Sequence, residues 1–165
     1  MDAQRTQEGG ADAGAPRWTI SLFVSSVGLW TGAALFFSAG VLPTLFLNLP
    51  PQEAGRIAAL VFPLYFRAGF VMGLLAISAA MRLAVRGGAR WKRAAALLVV
   101  MTLAQGWSAV VLHPEMARIR GVEEQVARFQ QLHEWSVRLN AVVLGGGLLL
   151  CAGSGWLLAR RRGEA

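Results

Sequence analysis

Long apolar runs separated by short charged segments dominate the chain. No charged residue occurs between Arg17 and Glu53, and none occurs between Arg138 and Arg160. A helix needs about 20 apolar residues to cross the roughly 30 Å hydrocarbon core of a bilayer. Four segments meet that length, so we predict membrane spans at residues 18–47, 57–81, 94–112 and 139–159.

The spans are predicted to be helices, because an open strand in lipid leaves its backbone groups without hydrogen bonds. The runs also lack the alternation of apolar and polar residues that outer-membrane strands show. Pro114 is expected to break or redirect the chain after the third span. Beyond it, an amphipathic outer helix that continues into the fourth span is indicated by apolar residues at helical spacing, Ile119, Val122, Val126 and Phe129. The expected fold is therefore an all-α integral membrane four-helix bundle.

The charges orient the bundle. The side that holds both termini and the second connection carries ten Lys and Arg against four acids, and the other side carries six against five. The positive-inside rule therefore predicts that both termini are cytoplasmic. Residues 1–17 are expected to form a disordered tail and residues 160–165 a basic tail. The formal charge of +7 thus indicates a lipid bilayer as partner and no nucleic acid.

Polar residues collect at the predicted outer boundary. In the last helix, steps of three and four put His133, Ser136 and Asn140 on one face. Arg67 lies about 21 Å from the inner end of its span, and a charge at that depth is a candidate functional group. We therefore predict a polar cluster that binds or passes a small ligand or docks a partner, formed by Arg67, His113, His133, Ser136, Arg138 and Asn140.

Small residues predict close helix packing. Gly28 and Gly32 in the first span and Gly69 and Gly73 in the second have the G-x-x-x-G spacing. Gly147 lies on the same face of the last helix as His133, Ser136 and Asn140. Such faces also suit a homo-oligomer or a membrane partner protein. A structural subunit of a membrane complex is therefore an alternative role.

Two histidines raise the alternative of a haem or copper site. His113 and His133 are both predicted near the outer boundary, and copper could also use the thioether of Met116. No Cys accompanies them, since Cys151 lies inside the last span, so no cofactor is predicted as the first choice. No catalytic triad, phosphate loop or paired intramembrane carboxylate occurs, and a non-enzymatic protein is expected.

Residues 47–66, with the Phe62-Pro63-x-Tyr65-Phe66 block, resemble the corresponding region of the transmembrane protein 205-like family, domain of unknown function 4149. Residues 129–140, with Phe129, His133, Ser136 and Asn140, are similar to that family's entry into its last span. The resemblance covers about residues 18–159. The resemblance implies a four-helix multi-pass protein with no transferable catalytic residue. The bacterial members of that family are distantly similar to copper-resistance membrane proteins of the D type, and this similarity motivates the metal alternative. The short loops and the basic, Gly- and Ala-rich sequence fit a bacterial inner membrane.

Overall fold

A computed structural model describes residues 16–159 of the chain, and throughout that range helix follows helix with no strand. The predicted tail 160–165 and residues 1–15 of the predicted tail 1–17 lie outside the described residues. Arg17, the last residue of that predicted tail, is instead the first residue of a helix. Four helical stretches are long and apolar enough to cross a membrane. The all-α, four-helix prediction is therefore confirmed, and we call these stretches the first to fourth spans: Arg17–Asn48, Pro51–Val85, Ala89–Ile119 and Glu123–Gly155.

Each span is built from one to three helical segments. The second is a single helix through Pro63, and the fourth begins with a short 3₁₀ turn at Glu123–Gln125. The first and third each contain a π-helical turn, at Phe36–Val41 and Ser108–Leu112. The α-helices in chain order are α1 Arg17–Leu35, α2 Leu42–Asn48, α3 Pro51–Gly87, α4 Ala89–Trp107, α5 His113–Ile119 and α6 Val126–Ala159.

A proline follows each π-helical turn. Pro43 and Pro114 stand at the start of α2 and α5. A proline has no N–H to donate, and its ring clashes with the carbonyl four residues earlier. Those carbonyls belong to Ala39 and Val110, which both lie inside the π-helical turns, where the wider backbone relieves the clash. Of the two expected effects of Pro114, a break is therefore wrong, because the helical third span continues through it to Ile119.

The amphipathic segment before the last span is two helices and not one. The chain leaves α5 after Ile119 and turns at Gly121, whose φ of 80° suits glycine. It then enters α6, which is uninterrupted from Val126 to Ala159 as expected. Glu115 of α5 ties the two helices together, since it forms ion pairs with Arg118 at 2.6 Å and with Arg128 of α6 at 2.9 Å.

The spans form a closed ring in chain order. Each packs against the next, and the fourth packs back against the first. Connections of only a few residues join them, at Leu49 and Pro50, at Gly88 and at residues 120–122, so successive spans run antiparallel. The first and third connections therefore meet at one end of the bundle, and Gly88 lies at the other.

The Gly88 end holds the larger apolar core. There the small side chains of Ala76, Ala79 and Ala80 are fully buried and let the helices approach the rings of Trp30 and Trp91. A second, smaller cluster lies towards the other end, built on Ala34, Phe37, Tyr65 and Phe66.

The two G-x-x-x-G pairs behave differently. A Cβ added at Gly69 or Gly73 would meet Trp30 and a polar side chain of α4, and one at Gly147 would meet Thr31. Gly28 and Gly32 are exposed, and a Cβ there would have no neighbour within 4 Å among the described residues. The first pair therefore makes no close contact inside the described part of the bundle, and close packing of Gly28 and Gly32 against a partner helix stays a prediction. Gly28 and Gly32 are four residues apart and share one face of the first span, and that face points away from the core. It is left to lipid or to a helix of another chain.

Candidate functional site

A cavity of about 570 Å³ opens in the half of the bundle that lies away from Gly88. Its lining runs from Gln52, at the start of the second span, to Tyr65, about 20 Å deeper along the same helix. This volume falls in the range of small-molecule sites. All four spans contribute polar residues to the lining: Ser38, Gln52, Tyr65, Gln105, His113, His133, Ser136 and Asn140.

A chain of hydrogen bonds joins three spans at this cavity. The Tyr65 hydroxyl donates to Asn140 Oδ1 at 2.8 Å, and Asn140 Nδ2 donates to Ser38 Oγ at 2.9 Å. Ser38 lies in the first π-helical turn, which presents its hydroxyl towards the fourth span. Each such bond between helices in lipid stabilises the bundle by roughly 0.6–2 kcal/mol.

Two further nitrogens at the cavity lack a partner. The Gln105 side chain is only 2% exposed and lies near the Tyr65 hydroxyl, but its Nε2 makes no hydrogen bond of normal geometry within the described residues. The same holds for His113 Nε2. An unpaired buried polar group costs about 1–3 kcal/mol, so these groups call for a physical explanation.

Trp30 Nε1 is a third buried nitrogen without a partner, and it lies next to Gln105. Gln105 Nε2 and Trp30 Nε1 lie 2.5 Å and 2.7 Å from the position that a Cβ on Gly69 would occupy. Glycine is therefore required at position 69 for these two side chains to pack as they do.

Aromatic rings form much of the remaining wall. The His113 ring packs against Phe62 and Phe66, with centroid distances of 4.1 Å and 4.8 Å. Phe37 and Tyr65 are stacked at 5.0 Å. Flat apolar surfaces thus surround the polar groups, as in sites that bind largely apolar ligands.

The cavity is nearly free of formal charge. Among its described lining residues the one Arg is Arg120, and no carboxylate contributes. Arg120 lies at the end of the bundle, and its Nη1 donates to the Gly55 carbonyl at 2.6 Å. Deeper in the cavity the polar groups are hydroxyls, amides and imidazole, which favour a neutral ligand over an ion.

Four of the six predicted cluster residues line this one cavity: His113, His133, Ser136 and Asn140. Arg67 and Arg138 do not, and both are exposed. Each stands two residues from an inward residue, Tyr65 or Asn140, so it lies on the opposite side of its helix. Arg138 instead pairs with Glu134 at 3.5 Å and covers the Trp135 ring. The prediction that Arg67 and Arg138 join the cluster is corrected accordingly.

The cavity includes residues that the predicted cluster lacks, above all Ser38, Tyr65 and Gln105. The sequence does predict an inward position for Tyr65, since it lies four and eight residues before Gly69 and Gly73 and so shares their packed helix face. Gln105 is a rare polar residue inside an apolar span. Ser38 has no such signal, because the π-helical turn changes the helical phase at its position.

Metal-binding chemistry has a limited set of donors here. His113, His133 and Met116 all line the cavity. Within residues 16–159, however, no group of three or more His, Cys, Asp or Glu residues could hold a metal ion. A copper site would have to rely on two imidazoles and a thioether.

Four apolar spans and a cavity between them define a multi-pass membrane protein. Residues 25–125 match the model of a family described as Domain of unknown function (DUF4149), and the chain belongs to that family. The match includes Ser38, Tyr65 and Gln105, whereas α6, which carries His133, Ser136 and Asn140, lies beyond it. Neither the curated proteins nor the solved structures compared with the chain give a match.

Proposed function

We propose that this chain is a non-enzymatic membrane protein whose cavity binds or passes a small ligand. One observation carries the proposal. Ser38, Asn140 and Tyr65, which are joined by hydrogen bonds, line the same cavity as Gln105, whose buried Nε2 is unpaired. A ligand that accepts a hydrogen bond from Gln105 would remove the desolvation penalty of that amide, and this gain would contribute to affinity.

The proposed location is a bacterial inner membrane with both termini in the cytoplasm. The excess of Lys and Arg on the side of the Gly88 connection supports this orientation. In it the cavity opens to the outer side, so a ligand would reach the site from outside the cell or from the outer leaflet of the bilayer.

The Gln105→Met variant should retain about tenfold less of the bound small molecule than the wild-type protein. Methionine keeps the length of the side chain but removes the donor, and one buried hydrogen bond of about 1.4 kcal/mol corresponds to a factor of ten. Both proteins would be extracted in native lipid discs, and their small-molecule content would be compared by solvent extraction and mass spectrometry.

Gln131→Met is the matched control, because Gln131 is exposed and does not line the cavity. It should retain the wild-type amount. Equal small-molecule content in the wild type and in Gln105→Met would contradict the proposal.

Copper or haem binding is the second candidate. The unpaired His113 Nε2 in a cavity shared with His133 and Met116 supports it. The resemblance of the chain to the transmembrane protein 205-like family supports it too, because that family is distantly similar to copper-resistance membrane proteins of the D type. The same preparations separate the two candidates by metal analysis and an absorption spectrum. Stoichiometric copper, or a haem spectrum, would favour this second candidate.

A further inference from the structure

A second hollow of about 470 Å³ lies between the first and second spans, on the lateral surface of the bundle. Its walls are apolar, with Leu29, Ala33 and Phe36 on one side and Leu64 and Ala68 on the other. All five are exposed, so this groove faces the region that lipid chains would occupy.

The groove and the cavity share Phe37 and Tyr65. These two rings are stacked, with a 16° angle between their planes, and they form the wall where the two hollows meet. The Tyr65 hydroxyl belongs to the polar side of this wall, since it donates to Asn140. Phe37 belongs to the π-helical turn of the first span.

Two unpaired donors lie close together near this junction. Gln105 lines the cavity and Trp30 lines the groove, and Gln105 Nε2 and Trp30 Nε1 lie 2.5 Å and 2.7 Å from the same point, the position of a Cβ on Gly69. Both atoms are N–H donors, so the complementary ligand group is an acceptor such as a carbonyl oxygen. No carboxylate lines either hollow in the described part of the chain, and Arg120 lies at the far end of the cavity. These features favour a neutral molecule.

We propose that the ligand is a neutral, lipid-soluble molecule of the quinone class, with its carbonyl-bearing ring in the cavity and its apolar tail in the groove. The inference rests on the proposed function, because it names the substrate class of the same site. The aromatic walls suit a flat ring, Gln105 Nε2 donates to a ring carbonyl, and the tail passes the Phe37 and Tyr65 rings to reach lipid.

Two probes that differ only in the tail test this assignment. They are 2,3-dimethoxy-5-methyl-1,4-benzoquinone and the same ring with a decyl chain at its free position. Binding to purified protein in lipid discs would be titrated by native mass spectrometry. Ala68→Phe fills the groove from a position that does not itself line the cavity, and Ala33→Phe does so from the opposite wall.

Either groove variant should weaken binding of the decyl probe about tenfold and leave the tail-less probe within about twofold. Ala152→Phe, on an exposed position of α6 away from both hollows, should change neither affinity. Gln105→Met should weaken both probes about tenfold, because both carry the carbonyl.

Failure of the inference and failure of the proposed function give different patterns. If the decyl probe binds both groove variants as it binds the wild type, the tail assignment is overturned, although a Gln105 effect on both probes would uphold the site. If neither quinone binds while Gln105→Met still loses a retained molecule, the quinone class is overturned and the ligand site stands. If Gln105→Met changes neither probe binding nor retention, both proposals fail.

Discussion

Gly73→Val should lower the free energy of unfolding by about 3 kcal/mol. The first added carbon would meet Thr102 Oγ1 and two carbons of the Trp30 ring at 3.1 Å. Trp30 is 1% exposed and packed in the larger core, so a movement of its ring would disrupt that packing. The valine must therefore push the second span away from the first and third. The measurement is a titration with sodium dodecyl sulfate in mixed micelles, followed by circular dichroism.

Gly28→Val is the matched control for this prediction. It has the same G-x-x-x-G context, but its Cβ would have no neighbour within 4 Å in the described part of the chain. The expected change is within about 0.5 kcal/mol, as for other surface substitutions. Equal losses in the two variants would mean that the first span packs through its Gly28 face, contrary to the structure.

Asn140→Ala should lower the free energy of unfolding by about 2 kcal/mol. It removes the partner of both the Tyr65 hydroxyl and the Ser38 hydroxyl, so two interhelical hydrogen bonds are lost at once. In a double-mutant cycle, Tyr65→Phe and Asn140→Ala should show a coupling energy of about 0.6–1.7 kcal/mol. Both quantities come from the same detergent titration.

His133→Ala serves as the comparison, since His133 is exposed and packs in parallel with Phe129 at a centroid distance of 6.4 Å. It should change stability by no more than about 0.5 kcal/mol. A coupling energy of zero between Tyr65 and Asn140 would contradict the hydrogen-bond chain. A loss of stability in Asn140→Ala with unchanged retention of the small molecule would make these bonds a packing feature alone.

The fourth span was the most predictable part of the site. His133, Ser136 and Asn140 lie on one face because α6 is a regular, uninterrupted helix, and spacing alone determines a face in such a helix. Arg67 differs, because depth along a span does not determine which side of the helix a residue occupies. It lies two residues from the inward Tyr65 and is therefore on the outside of the bundle.

The partners across the bundle could not be predicted, because they depend on how four helices align with one another. Ser38 reaches Asn140 only because a π-helical turn shifts the phase of the first span. Pro43 and Pro114 were visible in the sequence, but a proline in a helix can end it, bend it or widen the preceding turn. Packing in the bundle selects among these outcomes, and here it selects the wider turn in both spans.

Cysteine labelling in intact cells tests most directly whether the cavity opens to the outer side of the membrane. In a Cys151→Ala background, Ser136→Cys puts a thiol in the cavity, and Lys92→Cys puts one beside the Gly88 connection. An impermeant thiol reagent added outside the cells should label the Ser136→Cys protein and should label the Lys92→Cys protein only after the membrane is permeabilised. Labelling of Lys92→Cys in intact cells, with Ser136→Cys protected until permeabilisation, would contradict the account.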